Sequence, residues 1–236
     1  MEPFKFKLFT IQQDKCAMKV GTDGVLLGAW VSLHTLPNSI LDIGTGTGII
    51  ALQLAQRSKA GIIDAIEIDH HAFEQAVGNF ENSPWNDRIF CYHVSLAAFT
   101  DEIDIKYDLI VSNPPFYNDE FESNNDARNK ARFTSSLSFE DLIDSVSKLL
   151  SEKGIFATVI PYKEEANFIK LADRFQLKIN KICRVQGNKN SEIKRSLLAF
   201  SKDENNVELT QLIVEKERHQ YTDAYQKLVK DFYLKM

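Results

Sequence analysis

The chain has 236 residues, 44% of them hydrophobic, and a formal net charge of -5, which gives enough apolar content for the full core of one domain. Its apolar segments are short and broken by charges, and its first residues lack the apolar run of a secretion signal, so we expect a cytoplasmic protein without a membrane span. Three widely spaced cysteines and five histidines without ligand spacing predict neither a disulfide framework nor a metal site.

Short apolar runs alternate with helical patterns through most of the chain, which is typical of an α/β protein with a parallel sheet and crossover helices. Strands are predicted over residues 39–43, 62–68, 89–93, 107–112, 154–160, 177–185 and 196–200. Helices are predicted from Thr22 or Asp23 onward, over 49–57 and 69–82, from Ser138 onward, over 163–174, and from Thr222 onward. We expect residues 1–236 to form a single domain, with a helical extension at about 1–35 and a tail at about 203–236 packed on it.

Two segments differ from the rest in polarity. Residues 117–138 are polar and lack periodicity, which predicts a functional loop or lid rather than an ordinary connector. Residues 178–202 carry seven basic side chains and one acidic one, which indicates a local basic face despite the negative total charge. A solvated pair of strands with scattered charge would explain the second segment as simply.

A glycine-rich turn follows the first predicted strand and opens a helix, the position at which a parallel sheet receives a ligand. Its sequence runs from Asp42 through Gly44, Gly46 and Gly48, and the glycines let the backbone approach a ligand closely. This spacing differs from the G-x-G-x-x-G fingerprint and disfavours a dinucleotide-dependent dehydrogenase. The preceding Asp42 would repel a phosphate and attract an ammonium group.

The second predicted strand ends at Glu67, whose carboxylate is placed to accept two hydrogen bonds from the hydroxyls of a ribose. Asp69 is the competing carboxylate, but its position before a predicted helix suits an N-cap better.

The run Asn113-Pro114-Pro115-Phe116 ends an apolar strand and indicates a site for a planar amine. The prolines have no backbone donors, so the carbonyls near Asn113 and Pro114 can remain free acceptors for an N–H group. The Asn113 amide supplies a further acceptor, and Phe116 offers a flat ring for stacking. A strand that simply ends in a proline turn is the alternative interpretation.

Together these motifs resemble the class I methyltransferases that use S-adenosylmethionine, and the proline motif resembles the subset that methylates planar amines. Five further segments resemble the bacterial tRNA(Val) adenine-37 N6-methyltransferase family, so that the resemblance spans nearly the whole chain. They are residues 9–30, especially 16–30, Ser83-Pro84-Trp85, Ala131-Arg132-Phe133-Thr134, Leu197-Leu198-Ala199-Phe200 and residues 225–236. The resemblance implies a Rossmann-like fold with a mostly parallel seven-stranded sheet, flanking helices and an antiparallel last strand.

For the cofactor, the resemblance implies S-adenosylmethionine, with Asp42 and the turn Gly44, Gly46 and Gly48 near its methionine end and Glu67 on its ribose. Ser95 stands where the family often carries an acid for the adenine amine. Thr22 and Asp23 would close over the methionine end, although helix capping explains them at least as well.

For the substrate, the resemblance implies tRNA, with no DNA or membrane partner, and we expect a monomer. Asn113, Pro114 and Phe116 would hold the N6 amine of an adenine, and Phe116 stands where tyrosine is common in the family. Position 37 comes from the resemblance alone. Candidate contacts to tRNA phosphates are Arg128, Lys130, Arg132, Lys189, Lys194 and Arg195.

Other functions fit parts of the pattern. A protein-glutamine N5-methyltransferase would hold a side-chain amide in the same turn, and an rRNA base-amine methyltransferase would use the same chemistry. A module that keeps the cofactor pocket for binding or assembly without catalysis is the non-enzyme alternative.

Overall fold

A nine-stranded sheet lies at the centre of the computed structural model, which describes residues 2–115 and 137–235. Its strands are β3 (Ser39–Ile43), β4 (Ile62–Glu67), β5 (Ile89–His93), β6 (Tyr107–Ser112), β7 (Leu150–Pro161), β8 (Lys178–Asn188), β9 (Ile193–Ser201), β10 (Glu208–Glu217) and β11 (Gln220–Tyr221). A separate hairpin pairs β1 (Phe4–Lys5) with β2 (Thr10–Ile11). The helices are α1 (Thr22–Trp30), α2 (Ile49–Arg57), α3 (His70–Glu81), α4 (Leu96–Glu102), α5 (Phe139–Leu149), α6 (Glu165–Arg174) and α7 (Asp223–Val229), with a 3₁₀ turn at Tyr162–Glu164.

The strand order across the sheet is β11-β10-β8-β9-β7-β6-β3-β4-β5. Strands β3 to β7 run parallel to one another, and β9 lies antiparallel between β7 and β8. The predicted α/β class, the seven predicted strands and the antiparallel last strand of that set, β9, are therefore confirmed.

The C-terminal segment extends this sheet by two strands, because β10 pairs parallel with β8 and β11 turns back on β10. The prediction of a tail that only packs on the domain was therefore wrong for residues 208–221. Of the ten residues of β10 only Leu212 is buried, so the strand lacks the alternation that identifies a strand in sequence. The predicted helical extension is also only partly helical, since the β1–β2 hairpin precedes α1.

Each face of the sheet covers its own hydrophobic core. The central strands β3, β4 and β6 are buried along nearly their whole length, as expected for parallel strands with helices on both faces. Helices α1, α2, α3 and α7 and the N-terminal hairpin share one core, while α4, α5 and α6 pack on the other face. Among the described helices, none is both long enough and apolar enough to cross a membrane.

The position of β3 determines where a ligand can bind. From β3 the chain proceeds to β4 and β5 on one side, and β6 and β7 then lie on the other side. Connections therefore leave β3 and β6 in opposite directions, which opens a crevice beyond the carboxyl ends of these two strands.

Candidate active site

A cleft of about 520 Å³ lies beyond these carboxyl ends. Six residues predicted for the site line it: Gly44, Gly46, Glu67, Ser95, Asn113 and Pro114. Four segments far apart in the sequence therefore meet in one place. Phe116, Arg128, Lys130, Arg132 and most of the predicted loop at 117–138 lie outside the described residues.

The glycines of this turn have left-handed backbone conformations. Gly44 and Gly46 have φ values of +70° and +57°, and a Cβ built on either would meet nothing within 4 Å, so open space lies above the turn. Gly48 differs, because its φ is +83° and its Cβ would lie 2.4 Å from Cε1 of Phe80. Gly48 therefore lets α3 pack closely against the start of α2 and does not line the cleft.

Asp42 is fully buried beneath this turn and is not among the residues that line the cleft. Its Oδ2 accepts hydrogen bonds from Thr45 Oγ1 at 2.6 Å and from the Ala51 amide at 3.2 Å. Its Oδ1 has no partner among the described residues. Burial raises the pKa of Asp42 to about 7, although these two hydrogen bonds oppose the shift. In this geometry the carboxyl group supports the turn from below.

Asn79 holds the same turn from the side. Its Nδ2 donates to the Thr47 carbonyl at 2.8 Å and to the Gln12 carbonyl at 2.9 Å, and its Oδ1 accepts from the Gln12 amide at 2.8 Å. Asn79 was not among the predicted site residues, and its burial is evident only from the structure.

Glu67 reaches the cleft with a carboxylate that already accepts three backbone hydrogen bonds. Oε2 accepts from the Gly46 amide at 2.9 Å, and Oε1 accepts from the Ile68 and Asp69 amides at 2.8 and 2.9 Å. Since a carboxylate offers about four acceptor positions, about one remains, on Oε2. One ribose hydroxyl can therefore donate a hydrogen bond directly to Glu67. The predicted second bond from the ribose can form only if the Gly46 amide no longer donates to Oε2. Asp69 caps α3 through the Ala72 amide, as expected for the competing carboxylate.

Asn113 follows β6 and is half-buried at the wall of the cleft. Its side-chain amide makes no hydrogen bond to the described residues, so its acceptor oxygen is available to a ligand. The first turn of α1 lies beside it, because a Cβ on Gly24 would lie 4.0 Å from Nδ2 of Asn113. Pro114 is buried and Pro115 exposed, and both line the cleft.

Thr22 and Asp23 do not cap α1, and that prediction was wrong. The N-cap is Gly21, which has no side chain for capping, and the helix already includes both residues. Asp23 Oδ2 instead accepts from Nε of Arg195 at 2.7 Å, so two residues predicted for different ligands form an ion pair. Thr22 lines a different cleft, between the N-terminal hairpin and the C-terminal segment.

Apolar side chains outside the predicted site form much of the remaining wall. Ile68 and Met18 line the cleft with 59% and 60% of their surface exposed, and Leu96 follows Ser95 there. Ser95 also caps α4 by accepting from the Ala98 amide at 3.2 Å. Exposed apolar surface next to Ser95 and Glu67 suits a flat heterocycle.

The polar part of the cleft is predominantly acidic. Asp101, Asp141 and Asp144 line it together with Glu67. Among the residues that the structure describes, Lys148 is the single basic one in the lining, and it is paired with Asp144 at 2.7 Å. A cationic ligand is therefore favoured over a phosphate.

Lys189 and Lys194 are exposed around the connection between β8 and β9 and do not line the cleft. Strand β8 runs parallel to β7, so this connection lies at the same edge of the sheet as the cleft. Within residues 2–115 and 137–235, no group of three or more histidine, cysteine or acidic side chains is placed to hold a metal ion.

A doubly wound sheet with a glycine turn, a strand-end carboxylate and a cleft at the point where the strand order reverses defines a class I methyltransferase. The solved structures agree: a predicted O-methyltransferase from Agrobacterium tumefaciens superposes with a TM-score of 0.70 over 89% of this chain and 96% of that one. At 17% identity this likeness concerns the fold alone.

Sequence comparison is more specific. The family model described as methyltransferase small domain matches residues 23–189. A Flavobacterium psychrophilum protein named tRNA1(Val) (adenine(37)-N6)-methyltransferase is 57% identical over 99% of this chain and 100% of its own length. A Flavobacterium johnsoniae protein of the same name is 56% identical, with the same coverage. The chain therefore belongs to the methyltransferase small domain family, in the group that contains these two relatives.

Proposed function

We propose that this protein methylates the exocyclic N6 of an adenine in tRNA, namely adenosine 37 in the anticodon loop of tRNA(Val), with S-adenosylmethionine as methyl donor. The observation that carries this proposal is the full-length match to relatives that bear this activity in their names. The side-chain amide of Asn113, which has no partner among residues 2–115 and 137–235 and lines the same cleft as Glu67, supports it independently.

The cleft residues fit the cofactor. The open space above Gly44 and Gly46 admits the part of the cofactor that contacts the protein backbone. The remaining acceptor position of Glu67 accepts a hydrogen bond from a hydroxyl of the cofactor's ribose. Ile68 and Leu96 would enclose the purine, with Ser95 near its amine. When bound, S-adenosylmethionine supplies a methyl group on a positively charged sulfur. The acidic lining of the cleft favours that charge.

Asn113 positions the nitrogen that receives the methyl group. The N6 lone pair of adenine is delocalised into the ring and is therefore a weak nucleophile. If the side-chain oxygen of Asn113 and the Pro114 carbonyl accept the two N6 hydrogens, the nitrogen is held in a more tetrahedral geometry with its lone pair directed at the methyl carbon. No strong base is needed before attack, because the N–C bond would form as the S–C bond breaks, and one N6 proton would then leave to solvent. Phe116, assigned from the sequence alone, would stack on the flipped base.

The tRNA would lie over the edge of the sheet where the cleft opens. Lys189 and Lys194 are exposed at that edge and suit phosphate contacts, and Arg128, Lys130 and Arg132 are assigned from the sequence. Arg195 is bound to Asp23 in this structure, so a phosphate would have to compete with that carboxylate. A tRNA substrate also implies the cytoplasm as the location.

Incubation of the protein with labelled S-adenosylmethionine tests this function. The substrates are an unmodified tRNA(Val) transcript, the same transcript with guanosine at position 37, and a release factor as a glutamine substrate. We expect label only in the first, at N6 of adenosine 37 after nuclease digestion. Label in the release factor or in the guanosine-37 transcript would contradict the proposal.

A further inference from the structure

Tyr162 and Arg184 form a contact that the reaction described above does not use. Tyr162 begins the 3₁₀ turn directly after β7, and 37% of its surface is exposed. The guanidinium carbon of Arg184, on β8, lies 5.3 Å from the centre of the Tyr162 ring, within cation–π distance. The pair therefore presents an aromatic ring and a cation together at the protein surface.

A buried carboxylate fixes the orientation of Arg184. Nε of Arg184 donates to both oxygens of Glu165 at 3.2 Å, and Nη2 donates to Oε1 at 2.7 Å. Glu165 is only 7% exposed and also accepts from the Ser196 hydroxyl, so its charge is compensated by fixed partners. Nη1 of Arg184 has no hydrogen-bond partner in the described part of the chain. One edge of the guanidinium is thus anchored, while Nη1 remains available to an acceptor.

The strand register places Tyr162 at the same edge of the sheet as Asn113, one strand over, and Arg184 two strands farther along. Ser112 on β6 pairs with Thr158 on β7, so Asn113 lies one residue beyond that level and Tyr162 four. At about 3.3 Å per residue, Tyr162 lies roughly 10 Å farther out than Asn113, at the same edge of the sheet and one strand over. Asn113 lies on the face covered by α1, whereas Arg184 binds Glu165 of α6 on the other face, so a nucleotide next to an adenosine held at Asn113 would reach the pair by crossing over this edge of the sheet.

We propose that Tyr162 and Arg184 bind a nucleotide that flanks the methylated adenosine, with its base stacked on Tyr162 and its phosphate accepting a hydrogen bond from Nη1 of Arg184. Exposed aromatic rings bind unstacked bases, and a guanidinium with a free donor binds phosphate. The inference rests on the proposed tRNA activity and adds a second nucleotide position to it.

Steady-state kinetics of three Tyr162 variants test this site. Tyr162→Ala removes the ring, Tyr162→Leu keeps apolar volume without a π face, and Tyr162→Phe keeps the ring. We expect the first two to raise the KM for tRNA roughly tenfold or more with unchanged affinity for S-adenosylmethionine, and Tyr162→Phe to resemble the wild type. Phe90→Ala is the matched control, because Phe90 is an exposed ring on β5, at the far edge of the sheet.

Abasic substrates identify the contact itself. One anticodon stem-loop lacks the base on the 5′ side of adenosine 37, and a second lacks the base on the 3′ side. Only one of the two should be a poorer substrate for the wild type than the intact stem-loop. That penalty should disappear in Tyr162→Leu. An unchanged KM in Tyr162→Leu, or an equal abasic penalty in both proteins, overturns the stacking site while the proposed function stands. A wild-type protein that binds S-adenosylmethionine but methylates no tRNA would refute both.

Discussion

Asp23 and Arg195 form an ion pair at 2.7 Å although 172 positions separate them in the chain. The pair joins the first turn of α1 to the start of β9, and both side chains are about one-third exposed or less. Because Gly24 in the same turn lies beside Asn113, the pair helps to hold α1 next to the proposed transfer point. We therefore expect the ion pair to affect catalysis only by positioning the residues around Asn113.

A double-mutant cycle measures this coupling. Asp23→Ala, Arg195→Ala and the double variant should show an interaction free energy of unfolding of about 1 kcal/mol in urea titrations. The cycle also cancels the separate bond from Arg195 to the Lys194 carbonyl. Strictly additive losses would mean that the two charges do not support each other.

Asn113→Ala should lower kcat on tRNA by about a hundredfold, because it removes an acceptor that acts on the reacting nitrogen. Cofactor affinity, measured by calorimetry, should stay within about twofold. Asn113→Asp keeps acceptor atoms at the same distance and should retain more turnover than the alanine variant. Near-normal turnover in Asn113→Ala would eliminate the proposed transfer site.

Glu67→Gln should weaken S-adenosylmethionine binding by about ten- to a hundredfold, since one carboxylate oxygen becomes an NH₂ group facing backbone donors. Calorimetry gives the dissociation constant, and thermal unfolding gives the accompanying loss of stability. Glu81→Gln, at the exposed end of α3, is the control. Unchanged affinity in Glu67→Gln would remove the ribose contact.

Asp42 should make stability dependent on pH. Because burial raises its pKa from 3.8 to about 7, the folded protein holds this proton more tightly than the unfolded chain does. The associated stability is complete below about pH 4, is lost as the pH rises to about 7, and amounts to a few kcal/mol. The pKa of Asp64, likewise raised by burial, acts in the same direction.

Asp42→Asn removes the contribution of Asp42 to the pH dependence of stability. The free energy of unfolding of the variant should therefore fall less steeply between pH 4 and 8 than that of the wild type, as measured by urea titration. Asp87→Asn, at an exposed position, should leave the wild-type slope intact. An unchanged slope in Asp42→Asn would show that Asp42 is ionised throughout this range.

Lys189→Ala and Lys194→Ala should each reduce the salt dependence of tRNA binding. If each lysine neutralises one phosphate, the slope of log K against log salt should decrease in magnitude by about 0.7 to 1 per variant. Lys59→Ala is the control, because Lys59 precedes β4 and lies at the opposite edge of the sheet. Equal slopes in all the proteins would assign the phosphate contacts elsewhere.

The elements with strong local patterns were predictable from the sequence. Strands β5 and β6 and helix α2 match their predicted bounds, because each combines a dense apolar run with clear boundaries. Helix α4 was missed because it has only seven residues, and β10 was missed because it is mostly exposed.

The site was predictable where the chemistry is local to a motif. The glycine turn, Glu67 and Asn113 are identifiable from short segments, and they do line one cleft. Contacts between distant segments were not predictable, since nothing near Asp23 indicates Arg195 and nothing near Glu67 shows that Gly46 already occupies one of its acceptors.

Asn79 has a consequence for which substitutions leave the glycine turn intact. It connects the amino-terminal segment to the glycine turn, yet both of its bonds to Gln12 involve main-chain atoms. A change of side chain at position 12 should therefore leave these bonds in place, whereas a change at position 79 should remove them together with the bond to Thr47. The shape of the cleft thus depends on a helix residue that does not line it.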